Sequence, residues 1–168
     1  RVEPGSGGLV FVPSFAPDSG PLSRFGVGGA VVGLGLATSR GQLYRAALEG
    51  LSMQLRLALE SLEEAFGLKV SAVWAVGEGS RDELWNEIRA SVLGLPVHAL
   101  RFGEATAVGA AVAALKGAGV YGSFEEGLRA ARLGSRTFAP TRAEAYGRLY
   151  RRFLAVARAL SQAAVSQG

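Results

Sequence analysis

Apolar residues recur along the chain in two different spacings, and their alternation predicts an α/β fold. Short apolar runs at residues 9–12, 30–33, 70–76 and 97–100 are typical of strands. Longer segments, with apolar residues three or four positions apart, separate and follow these runs and are typical of helices. Such alternation favours a layered domain with a partly parallel sheet flanked by helices.

The longest predicted helix begins at a capping box formed by Ser39 and Gln42, in which each side chain satisfies a free backbone donor. It runs to about residue 66 and is ended by Gly67. Its leucines keep helical spacing and predict one buried stripe along the helix: Leu48, Leu51, Leu55, Leu59 and Leu62.

A second helix follows a strand through a short glycine turn. Residues 70–76 are apolar in both alternating sets, which predicts a strand covered on both sides. The turn at residues 77–79 comes next, and Ser80 with Glu83 predicts the cap of the following helix. Because ligands bind at the carboxyl ends of strands in open α/β sheets, this turn is a candidate ligand site.

The residue types in this turn favour one kind of ligand over another. Gly77 and Gly79 let a flat ligand approach the backbone, and Asp82 can accept a hydrogen bond from an exocyclic amine. Glu78 and Asp82 both repel phosphate, so a neutral base or ribose suits the turn better. A tight turn that binds nothing satisfies the same pattern.

The amino-acid composition indicates how the domain is packed and in which compartment it resides. Of the 168 residues, 49% are hydrophobic and 19% are charged, so either the core is large for the length of the chain or apolar surface meets a partner domain. The first residue is Arg1 and the only methionine is Met53, which indicates a piece of a longer protein. Cysteine is absent, which excludes disulfides and fits the cytoplasm. No apolar run is long enough for a membrane span.

The net charge is +4, and arginines are concentrated in the last third of the chain. This distribution raises the hypothesis that the chain binds nucleic acid. No nucleic-acid motif accompanies them, and we expect no nucleic-acid binding. A solvated helix face, or a face that pairs with acids of another domain, is the favoured interpretation. The residues concerned are Arg129, Arg132, Arg136, Arg142, Arg148, Arg151, Arg152 and Arg158.

Other residues with catalytic side chains have a structural explanation. His98 is the only histidine and alternates with apolar residues in a strand. Glu49 lies inside an apolar helix, where a hydrogen bond or salt bridge is expected. Asp18 is the only carboxylate in the loop 14–29, and Pro-Asp-Ser-Gly is typical of a turn. We therefore expect no catalytic residue and no metal ligand in this chain.

The order of the motifs resembles the FGGY family of carbohydrate kinases. The stretches that carry the resemblance are residues 9–13, 29–34, 44–50, 77–85 and 104–111, and the match covers roughly residues 8–155. The resemblance implies an actin-like ATPase fold, also called ribonuclease-H-like, in which ATP and a sugar lie between two domains. It also implies transfer of the γ-phosphate of ATP to a hydroxyl of a sugar or polyol, with Mg²⁺ present.

The resemblance implies that this chain represents only part of the two-domain kinase. Residues 9–160 correspond to an incomplete C-terminal kinase domain, residues 1–8 to a flexible lead-in and residues 161–168 to a frayed tail. The catalytic base and most sugar contacts would belong to a missing N-terminal kinase domain, so the isolated chain is expected to be inactive. The adenosine end of the site would remain here, at Gly77, Glu78, Gly79 and Asp82.

Departures from the family pattern keep a second interpretation open. Glu78 replaces the middle glycine of the turn, Asp82 stands where relatives often have Ser or Asn, and Gly28 stands where they usually have Arg. These changes also fit a non-catalytic assembly or regulatory domain with a degenerate nucleotide site. The sugar and the oligomeric state are left open, a homodimer among them.

Overall fold

The computed structural model describes residues 2–16, 20–100 and 105–165, with side chains up to residue 163. Strands and helices alternate through most of this range, as the apolar pattern predicts. In chain order the elements are β1 (Val10–Val12), β2 (Ala30–Val32), α1 (Arg40–Phe66), β3 (Val73–Ala75), α2 (Glu83–Leu93), β4 (Val97–Leu100), α3 (Ala105–Gly117), α4 (Phe124–Ala130), β5 (Ser135–Phe138) and α5 (Ala143–Val165).

Within the described residues, the strands form two separate pairings. β1 and β2 pair antiparallel, with Phe11 opposite Val31. β3 pairs parallel with β4, and β4 pairs antiparallel with β5. The prediction of an α/β domain with a partly parallel sheet is therefore confirmed, and the parallel pair places the carboxyl ends of β3 and β4 at one edge.

Helix α1 begins and ends where the sequence predicts. The backbone N–H of Gln42 donates to Ser39 Oγ over 3.2 Å, and Ser39 N–H donates to Gln42 Oε1 over 2.8 Å. Gly67 ends the helix in the left-handed region, with φ 61°.

The predicted buried stripe of α1 is confirmed at Leu48 and wrong at Leu51 and Leu62, because a neighbouring face of the helix turns inward. Leu51 and Leu62 are exposed, whereas Met53 and Leu57 are buried. The reason lies at Gly50, where an added Cβ would overlap the carbonyl oxygen of Phe11 in β1. The missing side chain lets β1 cross α1 closely, and this contact fixes which face is buried.

The main core joins α1, α2 and α5 to β1. Side chains of α5 fill much of it: Phe153 is buried, while Leu149, Val156 and Leu160 pack against the core. α5 continues to Val165, past the point at which the sequence predicts a frayed tail. Alanine and glutamine are abundant in this last stretch and have high helix propensity.

A buried carboxylate ties the first residues of the chain to this core. Glu49 is 3% exposed, and its Oε1 accepts hydrogen bonds from Gly5 N–H (3.0 Å), Arg45 Nε (2.9 Å) and Tyr146 OH (3.0 Å). Its Oε2 accepts one from Ser6 OH at 2.8 Å. Glu49 has the structural role that the sequence predicts, and the segment predicted as a flexible lead-in is held against the domain.

One face of the β3–β4–β5 sheet is open within the described part of the chain. Trp74 is 61% exposed, although the sequence predicts a strand covered on both sides. Its ring packs against that of His98 on the neighbouring strand, with the two centroids 4.8 Å apart. His98 Nδ1 lies 2.9 Å from Thr137 Oγ1, which confirms its structural role. The described elements therefore cover β3 on one side only.

Candidate functional site

The candidate site is the turn that leaves β3 and enters α2. Gly77 has φ 80° and ψ −170°, a conformation that is open to glycine and costly for other residues. A Cβ added at Gly77 would meet no atom of the described residues within 4 Å. The backbone at this corner therefore faces open space at the carboxyl end of a strand.

Hydrogen bonds hold the turn in one conformation. Ser80 is 5% exposed, and its hydroxyl donates to the carbonyl of Gly77 over 2.7 Å and to that of Leu100 over 3.5 Å. Asn86 Nδ2 donates to the carbonyl of Ser80 over 2.7 Å. The turn is thereby fastened to α2 and to the end of β4.

These bonds correct the predicted cap of α2. Ser80 is used inside the turn, and Asp82 is the residue that caps the helix, with its Oδ1 accepting from Trp85 N–H at 3.0 Å. Glu83 is then the first residue of the helix and lies too early to complete a capping box. The short bond to the carbonyl of Gly77, with the longer one to Leu100, keeps the Ser80 hydroxyl inside the turn.

Gly79 has a packing role that differs from the predicted approach of a ligand. A Cβ on Gly79 would come within 2.8 Å of the Trp85 ring and 3.2 Å of Arg89 Nη2. The guanidinium of Arg89 lies 3.6 Å from the centre of that ring and donates to the carbonyl of Gly79 over 3.1 Å. Burial lowers the pKa of Arg89, and the charge of nearby Asp82 opposes this effect. Gly79 is therefore needed so that the turn can rest on Trp85.

Asp82 joins the turn to α1 through a residue that sequence reasoning missed. Tyr44 OH donates to Asp82 Oδ2 over 2.8 Å. This hydrogen bond and the charge of Asp82 raise the pKa of Tyr44. Each carboxylate oxygen of Asp82 accepts one of these bonds and keeps further lone pairs for a ligand. The presence of Tyr44 in the motif at residues 44–50 was the available signal.

Glu78 is the most solvent-exposed of the four predicted site residues. Its side chain is 84% exposed and pairs with Arg81 at 3.3 Å. An exposed pair of this kind contributes little to stability. Of the four predicted site residues, Gly77 and Asp82 border the open corner, Glu78 lies outward, and Gly79 faces the interior.

Several other expectations meet the structure only in part. Asp18 and Glu104 lie outside the described residues.

Over the described ranges, no group of three or more histidine or carboxylate side chains could hold a metal ion. No helix in the same ranges has the length and apolar character to cross a membrane. On α5, Arg148 pairs with Glu144 at 2.9 Å, which fits a solvated face.

Comparison with known proteins identifies the family. Residues 1–118 match the C-terminal domain of the FGGY family of carbohydrate kinases. The chain belongs to this family. Its fold is accordingly that of the actin-like ATPases, and the chain forms part of such a domain, as the resemblance implies.

Three relatives show how much of an FGGY protein the chain represents. L-fuculokinase of Escherichia coli (strain K12) is 47% identical over 94 residues, which are 56% of this chain and 20% of that protein. Glycerol kinase of Gloeobacter violaceus is 36% identical over 135 residues, 80% of this chain and 27% of that protein. The crystal structure of xylulose kinase from Rhodospirillum rubrum is 33% identical with a TM-score of 0.71, covering 95% of this chain and 31% of that one. The chain thus spans less than a third of these relatives.

Proposed function

We propose that the chain is the nucleotide-binding part of an ATP-dependent sugar or polyol kinase. The observation that carries this proposal is the open corner at Gly77, in a chain that belongs to the FGGY family. The corner lies where β3 and β4, running parallel, end at the same sheet edge. Ligands of open α/β sheets bind at such edges.

The residues around the corner favour the adenosine end of the nucleotide over its phosphates. Gly77 leaves the backbone uncovered, and Asp82 offers lone pairs to the amino group of a base. Glu78 and Asp82 make the same place unfavourable for a phosphate. We therefore assign the adenosine end to this corner and the phosphates to the cleft beyond it.

The chemical step would use groups outside this part of the enzyme. Asp82 caps α2 and Glu78 pairs with Arg81, so neither is assigned as the base that takes the proton of the substrate hydroxyl. A second domain would supply that base and most sugar contacts, and the chain's 20–31% share of its relatives leaves room for one. We expect no turnover from this chain alone.

Magnesium, substrate and compartment follow from the same proposal. Phosphoryl transfer needs Mg²⁺ to neutralise the phosphates, but the described residues do not form a site for it, so the proposal places the ion outside this part of the chain. The relatives are kinases named for L-fucose derivatives, glycerol and xylulose, and the substrate is therefore kept at the level of a sugar or polyol. The absence of cysteine favours the cytoplasm.

Calorimetric titration with ADP tests the proposal. Gly77→Ala adds a methyl group at the open corner, and Gly94→Ala is the matched control at the other end of α2. Both glycines have positive φ, 80° and 70°, and at neither would an added Cβ meet an atom of the described residues within 4 Å. Gly94→Ala should cost about 1 kcal/mol of stability, and Gly77→Ala about 1–3 kcal/mol, because φ 80° with ψ −170° is a conformation that essentially only glycine adopts. Only Gly77→Ala should weaken ADP binding, by about tenfold.

Two results would contradict the assignment. Equal ADP affinity in the wild type and both variants would place the nucleotide elsewhere. If the wild-type chain does not bind ADP at all, a non-catalytic assembly or regulatory role becomes the better explanation.

A further inference from the structure

Arg89 is a half-buried cation on α2 that pairs with no carboxylate among the described residues. Taking a charge out of water is costly unless other groups bind it. An apolar side chain of similar length could cover Trp85 without this cost. The groups that do bind the guanidinium therefore indicate what its charge and donors are used for.

Trp85 and Asn86 hold the guanidinium from the same helix. Arg89 follows them by four and three residues, and side chains at these spacings share a helix face. The guanidinium carbon lies 3.6 Å from the centre of the Trp85 ring, a cation–π contact, and Nη1 donates to Asn86 Oδ1 over 3.0 Å. Asn86 is fully buried. α2 thus fixes the guanidinium in one place beside the turn.

From this place, Arg89 and Asn86 bind two successive carbonyls of the turn. Arg89 Nη1 donates to the carbonyl of Gly79 over 3.1 Å, and Asn86 Nδ2 donates to that of Ser80 over 2.7 Å. Because Arg89 also binds Asn86, the two side chains form one connected network. We call Trp85, Asn86 and Arg89 the α2 clamp. The clamp lies on the interior side of the turn, since a Cβ on Gly79 would meet Trp85 and Arg89.

The turn needs such a restraint because two of its three residues are glycines. Glycine loses more conformational freedom on ordering than any other residue. A ligand that binds a loose turn has to offset this loss, whereas a turn ordered in advance spares the ligand that cost. Backbone bonds inside the turn, from the N–H groups of Ser80 and Arg81, use the carbonyls of Gly77 and Glu78 over 3.1 Å each. The clamp binds the next two carbonyls and so restrains the rest of the turn.

We propose that Arg89 is a positioning residue for the nucleotide: through the α2 clamp, it holds the turn at residues 77–79 in the conformation to which the adenosine end binds. Arg89 acts through the backbone of the turn, since it lies on the interior side and the open corner is at Gly77. This inference rests on the proposed function and goes beyond it, because it assigns part of the nucleotide affinity to a residue behind the site. A residue that only supported α2 would contribute to stability and leave that affinity unchanged.

Calorimetric titration of the full chain with ADP tests this role. Arg89→Met keeps an apolar stem against Trp85 and removes the charge and both donated bonds, so ADP should bind about tenfold more weakly. Arg56→Met is the matched control. Arg56 also stacks on a ring, that of Tyr150 at 4.3 Å, and also donates to a backbone carbonyl, that of Val92 over 3.1 Å, near the other end of α2. This control should lower the urea midpoint of unfolding and leave the ADP affinity unchanged.

Amide hydrogen exchange separates positioning from general stability. In Arg89→Met, the amides of residues 78–81 should exchange about tenfold faster, because the turn opens locally once the clamp is lost. The amides in the middle of α1 should keep their exchange rates. In Arg56→Met, exchange at residues 78–81 should stay as in the wild type.

Wild-type ADP affinity in folded Arg89→Met would overturn the inference and leave the proposed function standing. An equal loss of affinity in Arg56→Met would also overturn it, because the cause would then be general stability. A wild-type chain that does not bind ADP would overturn both the inference and the proposed function.

A milder variant keeps the test decisive if circular dichroism shows that Arg89→Met is unfolded. Arg89→Lys keeps the charge and one donor but loses the planar stacking on Trp85, so ADP should bind about threefold more weakly. Wild-type affinity in that variant would then overturn the inference.

Discussion

Glu49 and Asp82 are both carboxylates that join distant parts of the chain, and they differ in what remains free on them. Glu49 is buried, and both its oxygens are taken by donors from the first residues, α1 and α5. Asp82 accepts one bond on each oxygen at a partly exposed corner and keeps further lone pairs. The first arrangement builds the fold, and the second leaves capacity for a ligand.

Removing the buried carboxylate should have the largest effect. Glu49→Ala leaves the partly buried Arg45 without its carboxylate partner and deprives Gly5, Ser6 and Tyr146 of an acceptor. We expect the free energy of unfolding to fall by about 3–5 kcal/mol. Urea unfolding measures it, with the exposed Glu64→Ala as the control on the same helix. If the free energy of unfolding falls no further than in the control, Glu49 does not contribute substantially to the stability of the fold.

Removing the exposed carboxylate should cost less stability and more binding. Asp82→Ala deletes a helix cap, which is worth about 1 kcal/mol, and should weaken ADP about tenfold. Ser123→Ala deletes the cap of α4, where Ser123 accepts from Glu126 N–H, and should cost similar stability with no change in ADP affinity. Parallel unfolding and calorimetry separate the two effects. If both variants bind ADP equally well, Asp82 is a cap and nothing more.

The smallest effect should appear in the titration of Tyr44. Its pKa is raised above the ordinary 10.0 by the hydrogen bond and charge of Asp82. A raised pKa in the folded state stabilises the chain fully at pH values below the ordinary one, and this stabilisation is lost as pH rises through the folded pKa. Ultraviolet titration of the phenolate, with Tyr44→Phe to identify the signal, should show a lower pKa in Asp82→Ala. An unmoved titration would mean that the two groups are not coupled in solution.

Sequence reasoning succeeded where a signal is local. The cap at Ser39 and Gln42, the stop at Gly67 and the turn at residues 77–79 each depend on a few neighbouring residues. It failed where a distant contact decides between local options. The close contact between Gly50 and β1 turns inward a face of α1 that lies beside the predicted leucine stripe.

The candidate site shows the same limit in more detail. Ser80 and Asp82 both qualify as caps for α2, and only the bonds from Ser80 to the carbonyls of Gly77 and Leu100 settle the choice. Gly79 looks like its neighbour Gly77 in sequence, but Trp85 lies against one and open space against the other. Tyr44 belongs to the motif at residues 44–50, but only the fold shows that its hydroxyl reaches Asp82 beside the corner.

The place of Trp85 beneath Gly79 also gives the chain an intrinsic fluorophore at its candidate site. Its indole stacks on Arg89 and donates to Ser52 in the middle of α1 over 3.2 Å, whereas Trp74 is largely solvent-exposed. Soluble quenchers reach an exposed indole far more readily than a covered one. The shielded part of the emission therefore reports on the turn itself, without any attached dye.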